Sequence, residues 1–196
     1  EKLDTPESWI RPAVEKIKDR MIGEIEKING QIWLGTDAGL YSIDSEGSQS
    51  LKKHISNTGI RDLASFEGEV YASTEWGVIS YDRSFDRQWK VRGREVYGLA
   101  LSEKGELWYG TEDGFYGTGG GEKYGSGRVT AVLATQSDVW AASRGQKVEG
   151  GDFDLKVWQL TEELTSFDSG QTGIVGKDEA RYENISPSGN VDRGVF

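Results

Sequence analysis

No cysteine occurs in the 196 residues. That excludes disulfides, thiolate nucleophiles and Cys-ligated zinc. A single histidine, His54, is present, so a metal site built on two imidazoles is excluded. A Ser–His–acid triad would have to use His54, and its surroundings, "LKKHIS", do not resemble a nucleophile elbow. No apolar run approaches the ~18 residues of a membrane span, and no signal-peptide pattern is visible. No membrane insertion is expected. Basic residues are outnumbered, with 23 Lys and Arg against 33 Asp and Glu and a net charge of −10. Direct nucleic-acid binding is therefore not expected, because phosphate contacts need a basic face. Proline is scarce at 3 residues, and apolar residues make up only 35%. The chain opens at Glu1 rather than Met, which fits a processed or excised piece of a longer protein.

What is present is glycine, at 27 residues, together with 7 Trp and 8 Tyr. This composition suits many short strands joined by tight turns. The aromatics are not scattered. "IWLGTDAGLY", "VYASTEWGVI", "LWYGTEDGFY" and "VWAASRGQKV" place Trp33, Tyr71, Trp108 and Trp140 at intervals of 38, 37 and 32 residues. Three positions after each aromatic stands Thr36, Thr74, Thr111 or Ser143; three further on, the first three copies have Gly39, Gly77 and Gly114. Each copy reads as strands on either side of a tight T-x-x-G turn, where the hydroxyl is placed to bond the turn amides and the glycine accepts positive φ. A repeat of ~40 residues with four strands is the pattern of a propeller blade, which buries both faces only by stacking on neighbours.

The fold class expected is all-β, a β-propeller in a single domain over 1–196. Its blades run at about 21–56, 58–92, 94–126 and 128–168. Blade four carries a long loop, 144–155, in place of the short turn. A closing blade is expected from 174–196 plus 5–20, because "SGNVDRGVF" aligns under "NGQIWLGTD" and Trp9 precedes Trp33 by the 24 residues that separate Tyr116 from Trp140. Sharing one blade between both chain ends would hide two open sheet edges. The alternative is a partial propeller, a fragment of a larger ring.

The core W-x-G-T-x-x-G-[LF]-Y resembles the two-component regulator propeller repeat, one of the WD40-like and YVTN-like propeller repeats. Trp33 to Tyr41 and Trp108 to Tyr116 match it closely. The second copy has Tyr71 for the Trp and Ser73 for the first Gly, and the fourth lacks the turn Gly. The resemblance implies a propeller and, through that family, an extracytoplasmic sensor domain that binds ligands, often glycans, ahead of a membrane helix and a kinase. Those sensors use many more blades, and this chain has neither helix nor kinase. Fold alone does not establish function.

The binding face follows from the repeat. In a propeller the turns between second and third strands share one face with the connections between blades. That face collects Asp37, Glu75, Trp76, Glu112 and Asp113, with Arg144, Asp152 and Asp154 from the long loop; the connections add Asn57, Arg92, Arg128 and Gln171. Trp76 is the informative residue, because a turn is a difficult place to bury an indole and an exposed one is a natural anchor. A non-catalytic protein-interaction module is expected, a scaffold or subunit whose partner has a basic surface. A ligand or glycan sensor is the alternative. A five-bladed glycosidase is a third reading, needing paired acids such as Glu24, Glu26 and Asp62 at the axis. "GGDFD", 150–154, has oxygen ligands but lacks the full calcium-loop spacing; "NIS", 184–186, is a formal glycosylation acceptor. "GTGGGEKYGSG", 117–127, lacks the G-K-[ST] of a phosphate loop and reads as a loose blade edge. No cofactor and no metal are expected.

Overall fold

The computed structural model describes residues 17, 19–44, 51–118, 121–147, 153–161, 181–185 and 191–195, with side-chain surroundings for 17, 19–44, 51–118, 121–143 and 157–160. The chain divides into two compact units, Glu1–Val96 and Tyr97–Phe196. No α-helix occurs among the described residues.

Unit 1 holds two four-stranded antiparallel sheets. Sheet A contains β1 (Ile22–Ile28), β2 (Gln31–Thr36), β3 (Gly39–Asp44) and β4 (Lys52–Ser56), in that order. Sheet B contains β5 (Asp62–Phe66), β6 (Glu69–Thr74), β7 (Gly77–Tyr81) and β8 (Arg87–Arg92). Successive side chains of a strand point to opposite faces. In β2, Trp33 therefore faces sheet B, joining Ile28 and Leu40 against Ile60, Leu63, Val70, Ala72, Ile79 and Tyr81. Its neighbour Leu34 joins Ile17, Tyr41 and Ile43 on the opposite face. The middle strands β3, β6 and β7 are buried almost throughout, while β1, β4 and β8 are largely exposed. A blade covered on both faces requires this pattern, because its middle strands have no solvent side.

Unit 2 holds sheet C, with β9 (Gly98–Leu101), β10 (Leu107–Gly110), β11 (Phe115–Gly117) and the two-residue β12 (Lys123–Tyr124). Sheet D contains β13 (Arg128–Ala134), β14 (Asp138–Lys147), β15 (Phe153–Thr161), β16 (Arg181–Ile185) and β17 (Val191–Val195). Phe115 packs with Val129, Val139, Ala141, Trp158 and Leu160 between the two sheets, and Trp108 and Tyr124 lean on the same cluster. The glycine-rich stretch contributes only the two-residue edge strand β12. Gly125, at φ +64, lies so close to Trp158 that an added Cβ would sit 3.0 Å from the indole.

The repeat cassette has a definite mechanism. Thr36 Oγ1 donates to Gly39 O at 2.9 Å and accepts from Ala38 N at 3.2 Å. Thr74 Oγ1 likewise donates to Gly77 O at 3.0 Å and accepts from Trp76 N at 3.1 Å. The glycine is needed for close approach as well as for its backbone angle. A Cβ at Gly39 would lie 2.3 Å from Ile55 O on β4, and one at Gly77 2.1 Å from Val91 O on β8. In the fourth copy Gln146 stands where the glycine would be, and the tight turn is not made. The expected long loop 144–155 is instead mostly strand, with β14 and β15 extended into a hairpin and only 148–152 between them. β16 and β17, read from sequence as part of a separate closing blade, instead pair onward from β15 in sheet D. Residues 5–16, 18, 174–180, 186–190 and 196 of that blade lie outside those described.

Candidate functional site

In unit 1 the β2–β3 and β6–β7 turns and the connections leaving each sheet gather at one end of the strands. The β4–β5 connection is fastened to the β2–β3 turn by Asn57 N to Ala38 O at 3.0 Å and Ile60 N to Thr36 O at 2.8 Å. Asp37 N reaches back to Met21 O at 3.0 Å. The connection after β8 is held in the same way, by Gly93 N to Trp76 O and Val96 N to Thr74 O, each at 3.0 Å. Trp76 stands on this braced turn with 59% of its surface exposed. Between sheets A and B lies a cleft of about 500 Å³, to which Met21, Gly23, Asp37, Gly59, Ile60 and Glu75 contribute. Asp37 and Glu75 are thus brought together, and among the described residues neither makes an ion pair. Arg61, also on the cleft wall, is bound to Glu95. The Arg92 guanidinium lies 5.3 Å from the Trp89 ring.

Unit 2 uses the corresponding residues internally. Arg128 Nε pairs with Glu112 Oε2 at 2.8 Å, and its Nη2 donates to the Tyr97 hydroxyl at 2.6 Å. That hydroxyl donates in turn to Glu112 Oε2 at 2.9 Å, and the guanidinium lies 4.2 Å from the Tyr97 ring centre. Asp113 accepts from Thr111 Oγ1 at 2.6 Å and from the Tyr116 hydroxyl at 3.0 Å. The Thr111 hydrogen bond, more than any other influence, holds its carboxyl below the usual range. Asp113 is therefore a turn brace. Arg144 and Asp154 lie in β14 and β15, where only the backbone is described, and Asp152 and Gln171 fall outside the described residues.

His54 sits on the outer strand β4 and is half-buried, stacked 4.4 Å from Trp33 and 5.2 Å from Phe85. Its Nε2 is 2.8 Å from Ser42 Oγ. Burial first, and the nearby Lys52 charge second, lower its pKa from 6.5 to about 4, so the ring is neutral at neutral pH. Ser42 is fully buried, so the hydroxyl of this Ser–His pair is closed off from solvent while the imidazole is half-buried.

Of the acids considered for a glycosidase, Glu24 and Glu26 lie on β1, and Asp62 Oδ1 accepts from the Leu63 amide at 2.8 Å. Among the described residues no group of three His, Asp or Glu is placed to hold a metal ion. No described helix is long and apolar enough to cross a membrane. Met21, Gly23, Ile60 and Arg61 are cleft residues that the sequence reading did not single out. Met21, the only methionine, directly precedes a strand and offered a signal; Ile60 is indistinguishable in sequence from a core residue.

No protein-family model matches the chain, and no curated protein matches it in sequence. Its fold is that of a β-propeller. The extracellular domain of BT4673 from B. thetaiotaomicron aligns over 90% of this chain at 15% identity and TM-score 0.55, using 28% of its own length. The N-terminal domain of Nup159 aligns over 89% at 12% identity and TM-score 0.52, using 60% of its length. The WD40 domain of Neurospora crassa Pan2 aligns over 91% at 16% identity and TM-score 0.50, using 63% of its length. The chain thus spans less than two thirds of each.

Proposed function

We propose that the chain is a non-catalytic recognition module that binds a protein partner through the turn end of unit 1. The observation that carries this is Trp76: a large indole, 59% exposed, on a turn fixed by its own hydroxyl and amide hydrogen bonds. A rigid aromatic loses little conformational freedom on contact, which is why such residues anchor interfaces. The adjacent Glu75 and Asp37, neither ion-paired among the described residues, offer carboxylates to a basic partner, and salt weakens such a contact. The corresponding residues of unit 2 are committed to one another, so unit 1 carries the reading.

The test is affinity capture with the wild-type chain and with Trp76→Ala, at low and at high salt. Capture that falls at high salt and with Trp76→Ala supports the reading; capture indifferent to both removes it. A second reading, a ligand or glycan sensor acting outside the cytoplasm, is favoured by the resemblance to the two-component regulator repeat and by the likeness to the extracellular domain of BT4673, described as a one-component system. A carbohydrate array on which Trp76→Ala loses every wild-type signal supports that reading, and an array without signals removes it.

A further inference from the structure

Resting on the protein-partner reading above, we propose that the cleft between sheets A and B receives a lysine or arginine side chain from an extended segment of the partner. The argument comes from comparing one junction across the repeat. Three backbone hydrogen bonds fix equivalent positions: Ile60 N to Thr36 O, Val96 N to Thr74 O and Val129 N to Thr111 O. The residues just before these donors, Gly59, Glu95 and Arg128, are therefore counterparts. So are the residues just before those opposite Gly35, Ser73 and Gly110 in the first strand of each sheet: Gly23, Arg61 and Tyr97.

In two of the three copies these counterparts meet. Arg61 binds Glu95. Arg128 lies against Tyr97 and pairs with Glu112, the first residue of the β10–β11 turn, at 2.8 Å. In the first copy the contact is missing. Gly59 and its counterpart partner Gly23 both lack a side chain, and Asp37, the counterpart of Glu112, has no ion-pair partner among the described residues. The cleft of about 500 Å³ opens at this place. Its size falls within the range of ligand pockets. The chain therefore shows, at Glu112, what this turn carboxylate binds when a guanidinium is at hand, and at Asp37 it leaves that position vacant.

The walls suit a basic side chain over its whole length. Met21 and Ile60 offer apolar surface to the methylene stem, as long cationic side chains require. Asp37 and Glu75 lie at the polar margin, where a charge-assisted hydrogen bond can form. The positive charge of Arg61 on the cleft wall is offset by its pair with Glu95. The backbone bonds that brace the β2–β3 turn and the β4–β5 connection pre-form the site, which lowers the cost of binding.

The test uses the full chain and capped tripeptides Gly-Arg-Gly, Gly-Lys-Gly and Gly-Glu-Gly, followed by NMR shifts of the Met21 and Ile60 methyls and the Gly23 and Gly59 amides. The basic peptides are expected to bind with a dissociation constant of about 1 mM, and the Glu peptide to leave the cleft signals unmoved. Asp37→Asn is expected to weaken binding about tenfold, the loss of one charge-assisted contact. Gly59→Arg places a guanidinium in cis, as Arg128 is placed beside Glu112, and is expected to abolish binding. Gly59→Ala is the control: its Cβ would be 3.4 Å from Asp37 O, an ordinary contact, and binding should stay within about twofold, because no charge changes. Equal response to the Glu peptide, saturation by a neutral disaccharide, unchanged binding in Gly59→Arg, or no shift at about 10 mM peptide would each overturn the proposal. Trp76 does not line the cleft, so the two readings fail separately. Peptide binding with capture indifferent to Trp76→Ala removes only the partner reading; the reverse outcome removes only this one.

Discussion

Lowering the pH should destabilise unit 1 through one residue, His54. Its pKa is about 4 in the folded protein against 6.5 ordinarily. Between those values the unfolded chain takes up a proton that the folded chain refuses. The stabilisation is therefore complete above about pH 6.5, is lost as pH falls to about 4, and changes no further below. Taken at face value a shift of this size corresponds to ~3.4 kcal/mol. The ring is only half-buried, and solvent screening reduces the expectation to about 1–2 kcal/mol. The assay is urea unfolding by tryptophan fluorescence at pH 7.5 and 4.5, for the wild type and His54→Phe. The phenyl ring can keep the stacking on Trp33 and Phe85 but cannot titrate. It leaves Ser42 without its imidazole partner, which costs about 1 kcal/mol at both pH values and so cancels from the comparison. Glu69, whose burial is outweighed by its contacts with the Tyr71 hydroxyl and the Lys90 ammonium so that its carboxyl stays below its usual range, loses stability only toward lower pH and is common to both proteins. The wild type should lose about 1–2 kcal/mol more than His54→Phe between the two pH values. Because His54 is the only histidine, its ring proton signals can be titrated without assignment ambiguity. Equal pH dependence in the two proteins, or a His54 midpoint near 6.5, would refute the reasoning.

Three further outcomes follow from the repeat. Gly77→Ala should cost about 3 kcal/mol, since its Cβ would meet Val91 O at 2.1 Å. Gly93→Ala, with φ +80 but nothing within 4 Å, should cost about 1 kcal/mol; equal midpoint losses on urea unfolding would contradict the close-approach explanation. Thr74→Val removes the hydroxyl that serves Gly77 O and Trp76 N and should cost about 1–2 kcal/mol, with faster hydrogen exchange at the Trp76 amide; unchanged exchange would count against the brace. Trp33 and Trp140 share a repeat position but are 2% and 38% exposed, so Trp33→Ala should cost about 3–5 kcal/mol and Trp140→Ala much less. Comparable losses would mean that Trp140 is as enclosed as Trp33.

The blades were legible because the cassette is a local device: aromatic, hydroxyl and glycine act within seven residues, and each has a partner fixed by the turn itself. The fourth copy was read as a loop because missing turn chemistry was equated with missing strand; without the glycine, β14 and β15 run on past the usual turning point. The partial burial of His54 was not legible, because its stacking depends on Trp33 in β2 and Phe85 in the β7–β8 turn. The turn acids were found, but not their fates. Whether a carboxylate such as Glu112 meets an arginine or, like Asp37, faces a glycine is decided by a residue in the connection sixteen or more positions later, which no local pattern exposes. The cleft is invisible in sequence for the same reason, being the absence of a side chain at Gly59.

The recognition role of the unit 1 turn end is tested most directly by photo-crosslinking in the presence of partner, from a photoreactive residue at position 76 and, separately, at position 83. Arg83 is exposed in the β7–β8 turn, at the opposite end of the same strands. Adducts are expected from position 76, in lower yield at high salt, with few from position 83. Equal yields from both positions, or adducts from position 83 alone, would contradict the assignment of that end as the recognition surface.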